Sequence, residues 1–222
     1  MNPTQYHFKL TKTNRPVDVL IPELWYPDIR NYWSICTSKR TVDPIDGIVA
    51  VVIHATAGAS SSGAISVMKA GHASFHWLVP DENEAEHGKS IWACAPEAKA
   101  AWHVRASVSN PSINGGRSRV NHWSLGIEVV NTQADDLFSD WQVQVTADIV
   151  RYCWAKYPNL TDIVSHAKLD PARRTDPGSM FPWDKFKNLV LKGKNEKSVL
   201  KSLKDVPSAK KIQKSSKKDC CM

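Results

Sequence analysis

Short apolar runs alternate with longer amphipathic segments along most of the chain. Short runs rich in Val and Ile are typical of strands, whereas apolar positions recurring every three or four residues predict helices. Strands are predicted at 48–53, 74–79, 90–94, 124–131 and 163–164, with 74–94 forming a hairpin. Helices are predicted at 62–70, 141–157 and 183–191. This alternation predicts an α/β fold or a mixed sheet, covered by helices.

The chain divides into three regions of different pattern. Residues 1–46 contain several Pro and no clean periodicity, so we expect an irregular N-terminal extension packed on the body. Its expected anchors are Trp25, Tyr26 and Trp33. Residues 47–191 contain the predicted strands and helices and form the expected main domain. Residues 192–222 are dominated by Lys and Ser, a composition that predicts a disordered tail.

The formal net charge of +7 belongs to this tail. Residues 192–222 carry ten Lys against three acidic residues, so the other 191 residues balance 19 basic against 19 acidic side chains. The body therefore need not bind a polyanion, and we expect no nucleic acid partner. The tail favours weak, long-range attraction to anionic polymer or membrane, and a solvated tail without function is the alternative.

The cysteines and the first residues bear on the compartment. Five scattered Cys without a Cys-x-x-Cys pair indicate neither a disulfide framework nor a structural zinc ribbon. The N-terminal residues lack a charged-then-apolar leader, and no apolar run approaches the ~18 residues of a membrane span. We therefore expect a cytoplasmic protein, with export by another route as the alternative.

Two histidines and an aspartate form a candidate metal site. His54 ends the apolar run 48–53 and His166 follows a short predicted strand, so both lie at strand ends, where sites gather in such sheets. Asp176 lies in a Thr-Asp-Pro-Gly turn that would hold its carboxylate rigidly. Two imidazoles and one carboxylate are a ligand set of catalytic zinc. Zinc lowers the pKa of a bound water molecule to about 7, which makes hydroxide available at neutral pH. Each of these three residues, taken alone, more often has a structural role. The hypothesis of a zinc site therefore rests on their combination.

Glu128 and two arginines are further candidates for chemistry. Strand alternation places Glu128 on the face opposite Leu125 and Ile127, where it either meets solvent or points into a cleft. A raised pKa in a cleft would suit a general base. Arg173 and Arg174 are either solvated charges, or one of them stabilises an oxyanion. The chain has no Gly-x-Ser-x-Gly, Rossmann or P-loop pattern to support serine-nucleophile or nucleotide chemistry.

Five segments together resemble the zinc-dependent N-acetylmuramoyl-L-alanine amidases. They are Ile53-His-Ala-Thr-Ala57, Ala73-Ser-Phe-His-Trp77, Ala101-Trp-His103, 121–128 and 166–178. They cover about residues 47–190 in the family's order. The resemblance implies a central mixed β-sheet flanked by helices, with a zinc groove at the strand ends. It also implies hydrolysis of the amide between the lactyl group of N-acetylmuramic acid and L-alanine.

The resemblance also implies residue roles. One zinc ion would be bound by His54, His166 and Asp176. Glu128 would be the general base, and the substrate would contact Trp102, His103 and Asn121. The family's usual lysine falls on Arg174, which keeps the charge and can orient a carbonyl but cannot donate a proton. For His103, support of another site residue is an alternative to substrate contact.

Other functions remain open from the sequence alone. A non-catalytic peptidoglycan sensor of the same fold and a zinc peptidase acting on the stem peptide are the alternatives. We expect a monomer that acts either on intact peptidoglycan or on soluble muropeptides. The absent leader does not separate recycling of muropeptides from a lytic role, and the tail could meet anionic wall polymer.

Overall fold

The computed structural model describes residues 1–17, 36–85, 88 and 90–192. The strands are β1 (His7–Lys9), β2 (Thr37–Lys39), β3 (Ala50–Ala55), β4 (Trp77–Val79), β5 (Trp92–Ala93), β6 (Lys99–Ala101), β7 (Ser124–Val129) and β8 (Asp162–Ser165). The helices are α1 (Ser61–Lys69), α2 (Asp140–Lys156), α3 (His166–Leu169) and α4 (Trp183–Lys192).

Six strands form a mixed central sheet in the order β1-β8-β3-β7-β4-β5. The four inner strands are parallel, whereas β1 and β5 pair antiparallel at the two edges. Strands β2 and β6 form a separate antiparallel pair. The predicted mixed sheet flanked by helices is therefore confirmed, and β4 with β5 forms the predicted hairpin.

Helices cover both faces of this sheet. Alternate residues of β3, Val51 and Ile53 among them, join a core with side chains of α2 and α4. On the other face, α1 packs on Leu78, while Val52 joins a cluster built by the loop 104–123. Because strand side chains alternate, His54 emerges on the second face, which α1 and this loop cover only partly.

Local sequence explains where the helices begin. Ser60 caps α1 by accepting a hydrogen bond from the Gly63 amide. Ser139 and Gln142 form a reciprocal capping box at the start of α2. Pro158 follows the last residue of α2 closely, as the sequence predicted.

The N-terminal region differs from the irregular extension that the pattern predicted. Residues 7–9 form β1, an edge strand of the central sheet, and 37–39 form β2, so the boundary expected at residue 47 does not separate these segments from the sheets. Three-residue strands are too short for periodicity to reveal them. The expected anchors Trp25, Tyr26 and Trp33, and the tail from residue 193, lie outside the described residues.

Within the described part of the chain, no helix has the length and apolar character needed to cross a bilayer. Cys36, Cys94 and Cys153 are buried free thiols.

Candidate metal centre and active site

Sheet register brings the three predicted ligands together. In the parallel pairing of β3 with β8, Ile53 lies opposite Ser165, so the next residues, His54 and His166, emerge at the same level. His166 also begins α3, which Ser165 caps through the Lys168 amide. The backbone carbonyl of Asp176 accepts a hydrogen bond from the Ala167 amide at 2.9 Å, which ties its turn to α3.

The three ligand atoms form a nearly equilateral triangle. His54 Nδ1, His166 Nδ1 and Asp176 Oδ2 lie 3.1 Å from one another, and all three side chains are buried. Tetrahedral ligands at zinc bond lengths of about 2.0–2.1 Å are about 3.3–3.4 Å apart. A zinc-sized ion therefore fits this face with a small expansion, and the described residues contain no second cluster of this kind.

The electrostatics of the triangle suit metal ligation. Burial and the neighbouring His166 charge lower the pKa of His54 to about 4, so its imidazole is neutral at pH 7. Burial by itself would raise the pKa of Asp176, but hydrogen bonds and charges from His166 and His54 outweigh it and hold that pKa below its ordinary value. A neutral imidazole and an ionised carboxylate are the forms that bind a metal ion.

Glu128 lies beside the triangle on the neighbouring strand. It is paired directly with His54 in the β3–β7 register and lines the same cavity as the three ligands. Burial, followed by the charge of Asp176, raises the pKa of Glu128 to about 8, while Arg174 acts in the opposite direction. Of the two orientations left open by the sequence, the structure therefore shows the one facing a cleft.

Arg173 and Arg174 both line this cavity, which has a volume of about 350 Å³. Both residues are exposed, and the Arg174 charge acts on His54 and on Glu128. The Arg174 amide donates to the Asp170 carbonyl at 2.9 Å, which fixes the backbone next to the ligand turn. A cation therefore lies within reach of any group bound beside the triangle.

A second cavity of about 590 Å³ adjoins the first and shares His103 and both arginines with it. Trp102 lines this cavity with 39% of its surface exposed, and its indole nitrogen donates to Ser38 Oγ at 2.9 Å. An exposed, anchored indole is a suitable wall for a ligand. Together the two cavities form a groove that runs past the candidate metal site.

Two residues expected to contact substrate have other partners in the structure. The Asn121 amide both donates to and accepts from the Val104 backbone, at 2.8 Å each, so it fastens the loop 104–123. His103 is only 8% exposed, and its Nδ1 lies 3.0 Å from His54 Nε2. Both residues still line the groove, but these polar atoms form hydrogen bonds within the protein.

Gln133 is a site residue that the sequence analysis did not identify. Its side chain donates to the Ala55 carbonyl at 3.1 Å and accepts from Thr175 Oγ1 at 3.4 Å, bridging the residues next to two ligands. Its backbone has φ 62°, a left-handed conformation uncommon for a residue other than glycine. Its place shortly after the end of β7 was the available signal, because sites gather at strand ends.

Known proteins share this fold and parts of this sequence. The chain is 42% identical over 97 residues to a 1,6-anhydro-N-acetylmuramyl-L-alanine amidase, AmpD, of Salmonella typhimurium, covering 43% of this chain and 48% of that protein. It is 31% identical over 164 residues to the N-acetylmuramoyl-L-alanine amidase AmiD of Escherichia coli, covering 69% of this chain and 57% of that protein. The chain thus spans about half the length of these curated relatives.

A solved amidase complex has a similar fold, and a family model matches most of this chain. The complex of Escherichia coli AmiD with anhydro-N-acetylmuramic acid-L-Ala-D-γ-Glu-L-Lys superimposes with a TM-score of 0.55 at 28% identity, covering 73% of this chain and 65% of that one. The model of the N-acetylmuramoyl-L-alanine amidase family matches residues 44–179, which contain His54, Glu128, His166 and Asp176. Since this match spans more than half of the chain, the protein belongs to the N-acetylmuramoyl-L-alanine amidase family.

Proposed function

We propose that this protein hydrolyses the amide between the lactyl group of N-acetylmuramic acid and L-alanine, in peptidoglycan or in soluble muropeptides. The observation that carries the proposal is one cavity that holds the buried ligand triangle and a glutamate whose pKa is raised. The family match and the muropeptide complex of the AmiD relative support the choice of bond.

We propose zinc as the metal, one ion held by His54, His166 and Asp176. Two imidazole nitrogens and one carboxylate oxygen, 3.1 Å apart, suit its size and its preference for mixed N and O ligands. Bound there, zinc supplies Lewis acidity, which activates water near neutral pH and polarises a carbonyl.

Glu128 is the proposed general base. From its position opposite His54 it would take a proton from the attacking water and pass it to the departing nitrogen of L-alanine. A carboxyl with a pKa near 8 in a cleft exchanges protons readily at neutral pH, because its two forms differ little in free energy there.

Arg174 and Trp102 are proposed to act on the substrate itself. The Arg174 guanidinium, whose charge reaches Glu128, would donate hydrogen bonds to the developing oxyanion of the attacked carbonyl. Trp102 would form a wall of the groove against the sugar or peptide. For His103 and Asn121 the geometry supports positioning of the site in place of substrate contact.

Mass spectrometry of the products tests this proposal. The zinc-loaded protein is incubated with purified peptidoglycan and, separately, with an anhydro-muropeptide. Free stem peptide beginning with L-alanine is expected, and the preferred substrate separates recycling from lysis. Cleaved cross-links with intact lactyl amides would identify a peptidase, and binding without any cleavage would identify a sensor.

The Glu128→Gln variant sharpens the assignment. It keeps the shape of the side chain and all three ligands, so zinc content should stay at one ion while turnover falls about 10²–10⁴-fold, the usual contribution of a general base. Asp135→Asn, a change at an exposed carboxylate, is the matched control and should keep full turnover. Turnover of Glu128→Gln equal to wild type would refute the proposed base.

A further inference from the structure

A chain of hydrogen bonds leads away from the far side of His54. His54 Nε2 lies 3.0 Å from His103 Nδ1, and His103 Nε2 lies 3.3 Å from Ser124 Oγ. Ser124 Oγ in turn donates to the Val120 carbonyl at 2.7 Å. All three side chains in the chain are buried, so water does not replace these partners.

The last group of this chain sets the direction of every hydrogen bond in it. A carbonyl oxygen can only accept, so the Ser124 hydroxyl proton is committed to Val120 and Ser124 Oγ accepts from His103 Nε2–H. A neutral His103 then has a lone pair at Nδ1, which accepts from His54 Nε2–H. This arrangement leaves the lone pair of His54 at Nδ1, the atom that lies 3.1 Å from Asp176 Oδ2 in the ligand triangle and would face a bound metal.

Gly126 provides the space that this chain requires. A Cβ at residue 126 would lie 2.7 Å from His103 Cγ and 2.9 Å from its Nδ1, closer than such atoms approach. Ser124, Gly126 and Glu128 alternate along one face of β7. One strand therefore carries the proposed base, the space for the His103 ring and the hydroxyl that orients it.

We infer that His103 is a positioning residue, which together with Ser124 holds His54 in the tautomer that presents Nδ1 to the metal. This inference rests on the proposed zinc site, because without the metal His54 Nδ1 lies 3.1 Å from Asp176 Oδ2 and can donate a hydrogen bond to it. Loss of a partner that orients a metal-bound imidazole lowers metal affinity about 10–100-fold.

Nitrogen-15 NMR of the imidazoles in the zinc-loaded, full-length protein is the direct test. His103 should be protonated at Nε2 and unprotonated at Nδ1, and His54 should be protonated at Nε2. In His103→Leu, competition with a chromophoric chelator should show zinc affinity reduced about 10–100-fold. In His103→Asn the amide oxygen can accept from His54, so zinc affinity should largely recover.

Two glycine-to-alanine variants separate an effect on the His103 ring from a general loss of stability. Gly126→Ala should weaken zinc binding and change the visible spectrum of the Co²⁺ form, because the His103 ring must move. Gly63→Ala, in α1 with 3.4 Å to its nearest neighbour, should leave both unchanged. A His103 protonated at Nδ1 in the zinc-loaded wild type, or wild-type zinc affinity in a folded His103→Leu, would overturn the inference. A correct tautomer without amidase products would instead contradict the proposed function alone.

Discussion

Glu128 should make the metal-free protein less stable as the pH rises. Its pKa is raised from 4.5 to about 8 in the folded state, so between these values the unfolded chain releases a proton that the folded chain keeps. The unfolding free energy then falls with rising pH and levels off above about pH 8. The difference between 4.5 and about 8 corresponds to about 5 kcal/mol, and the partial exposure of Glu128 reduces this to about 3 kcal/mol.

The difference between wild type and Glu128→Gln isolates this effect. His54 contributes the opposite sign, because its folded pKa of about 4 lies below the ordinary 6.5 and stability is lost as pH falls between these values. Since His54 is present in both proteins, its contribution largely cancels in the difference. Glu128→Gln should therefore match wild type near pH 4.5 and exceed its stability by about 3 kcal/mol near pH 8.

Urea unfolding of metal-free protein, followed by circular dichroism from pH 4.5 to 8.5, measures this difference. Asp135→Asn, at an exposed carboxylate, is the control for removing one negative charge. Saturating zinc should flatten the pH dependence, because a nearby cation favours the ionised carboxylate. The difference in unfolding free energy between Glu128→Gln and wild type should grow with pH. A difference that stays constant over this range, or that shrinks, would refute the raised pKa of Glu128 in its cleft.

The remaining predictions concern Arg174, the bridging side chain of Gln133 and the core residue Phe8. Arg174→Ala should lower kcat about 10²-fold at unchanged zinc content, and Arg174→Lys should restore much of it, as steady-state kinetics with metal analysis can show. Gln133→Ala and Gln133→Gly should weaken zinc binding equally, about tenfold in chelator competition, because both remove the side chain that bridges Ala55 and Thr175. Tighter zinc binding by the glycine variant would instead indicate that the left-handed backbone of residue 133 matters more. Phe8→Ala should lower the unfolding free energy by about 3–5 kcal/mol in urea, because its ring packs on Trp183 and Phe186.

The sequence could predict the candidate metal ligands because a simple geometric rule brings two of them together. Apolar runs locate the parallel strands, and parallel strands end at one edge of the sheet, where His54 and His166 emerge. The same alternation placed Glu128 on the face away from the α2 core. These inferences need only local periodicity and strand direction, so the resemblance and the residue pattern led to the same set.

Contacts between distant loops could not be predicted in this way. Asn121 was expected to contact substrate, yet its amide is hydrogen-bonded to Val104, seventeen residues away. The loop between these residues has no periodic pattern from which this contact could be predicted. The contact of His103 with His54 depends equally on the space left by Gly126 on another strand. Side-chain pairs that join three separate segments depend on tertiary packing, which local patterns do not contain.

The N-terminal segment shows how far support for the site extends along the chain. Ser165, which precedes the proposed ligand His166, donates its hydroxyl to the Pro3 carbonyl at 2.7 Å and its amide to the Tyr6 carbonyl at 3.0 Å. Tyr6 in turn stacks on Trp183 at 4.8 Å. Because β8 has β1 as its outer neighbour, the position of His166 depends on residues that the sequence pattern placed outside the expected main domain, 47–191. A domain cut at residue 47 would remove these partners from β8, and we expect it to lose stability and metal affinity together.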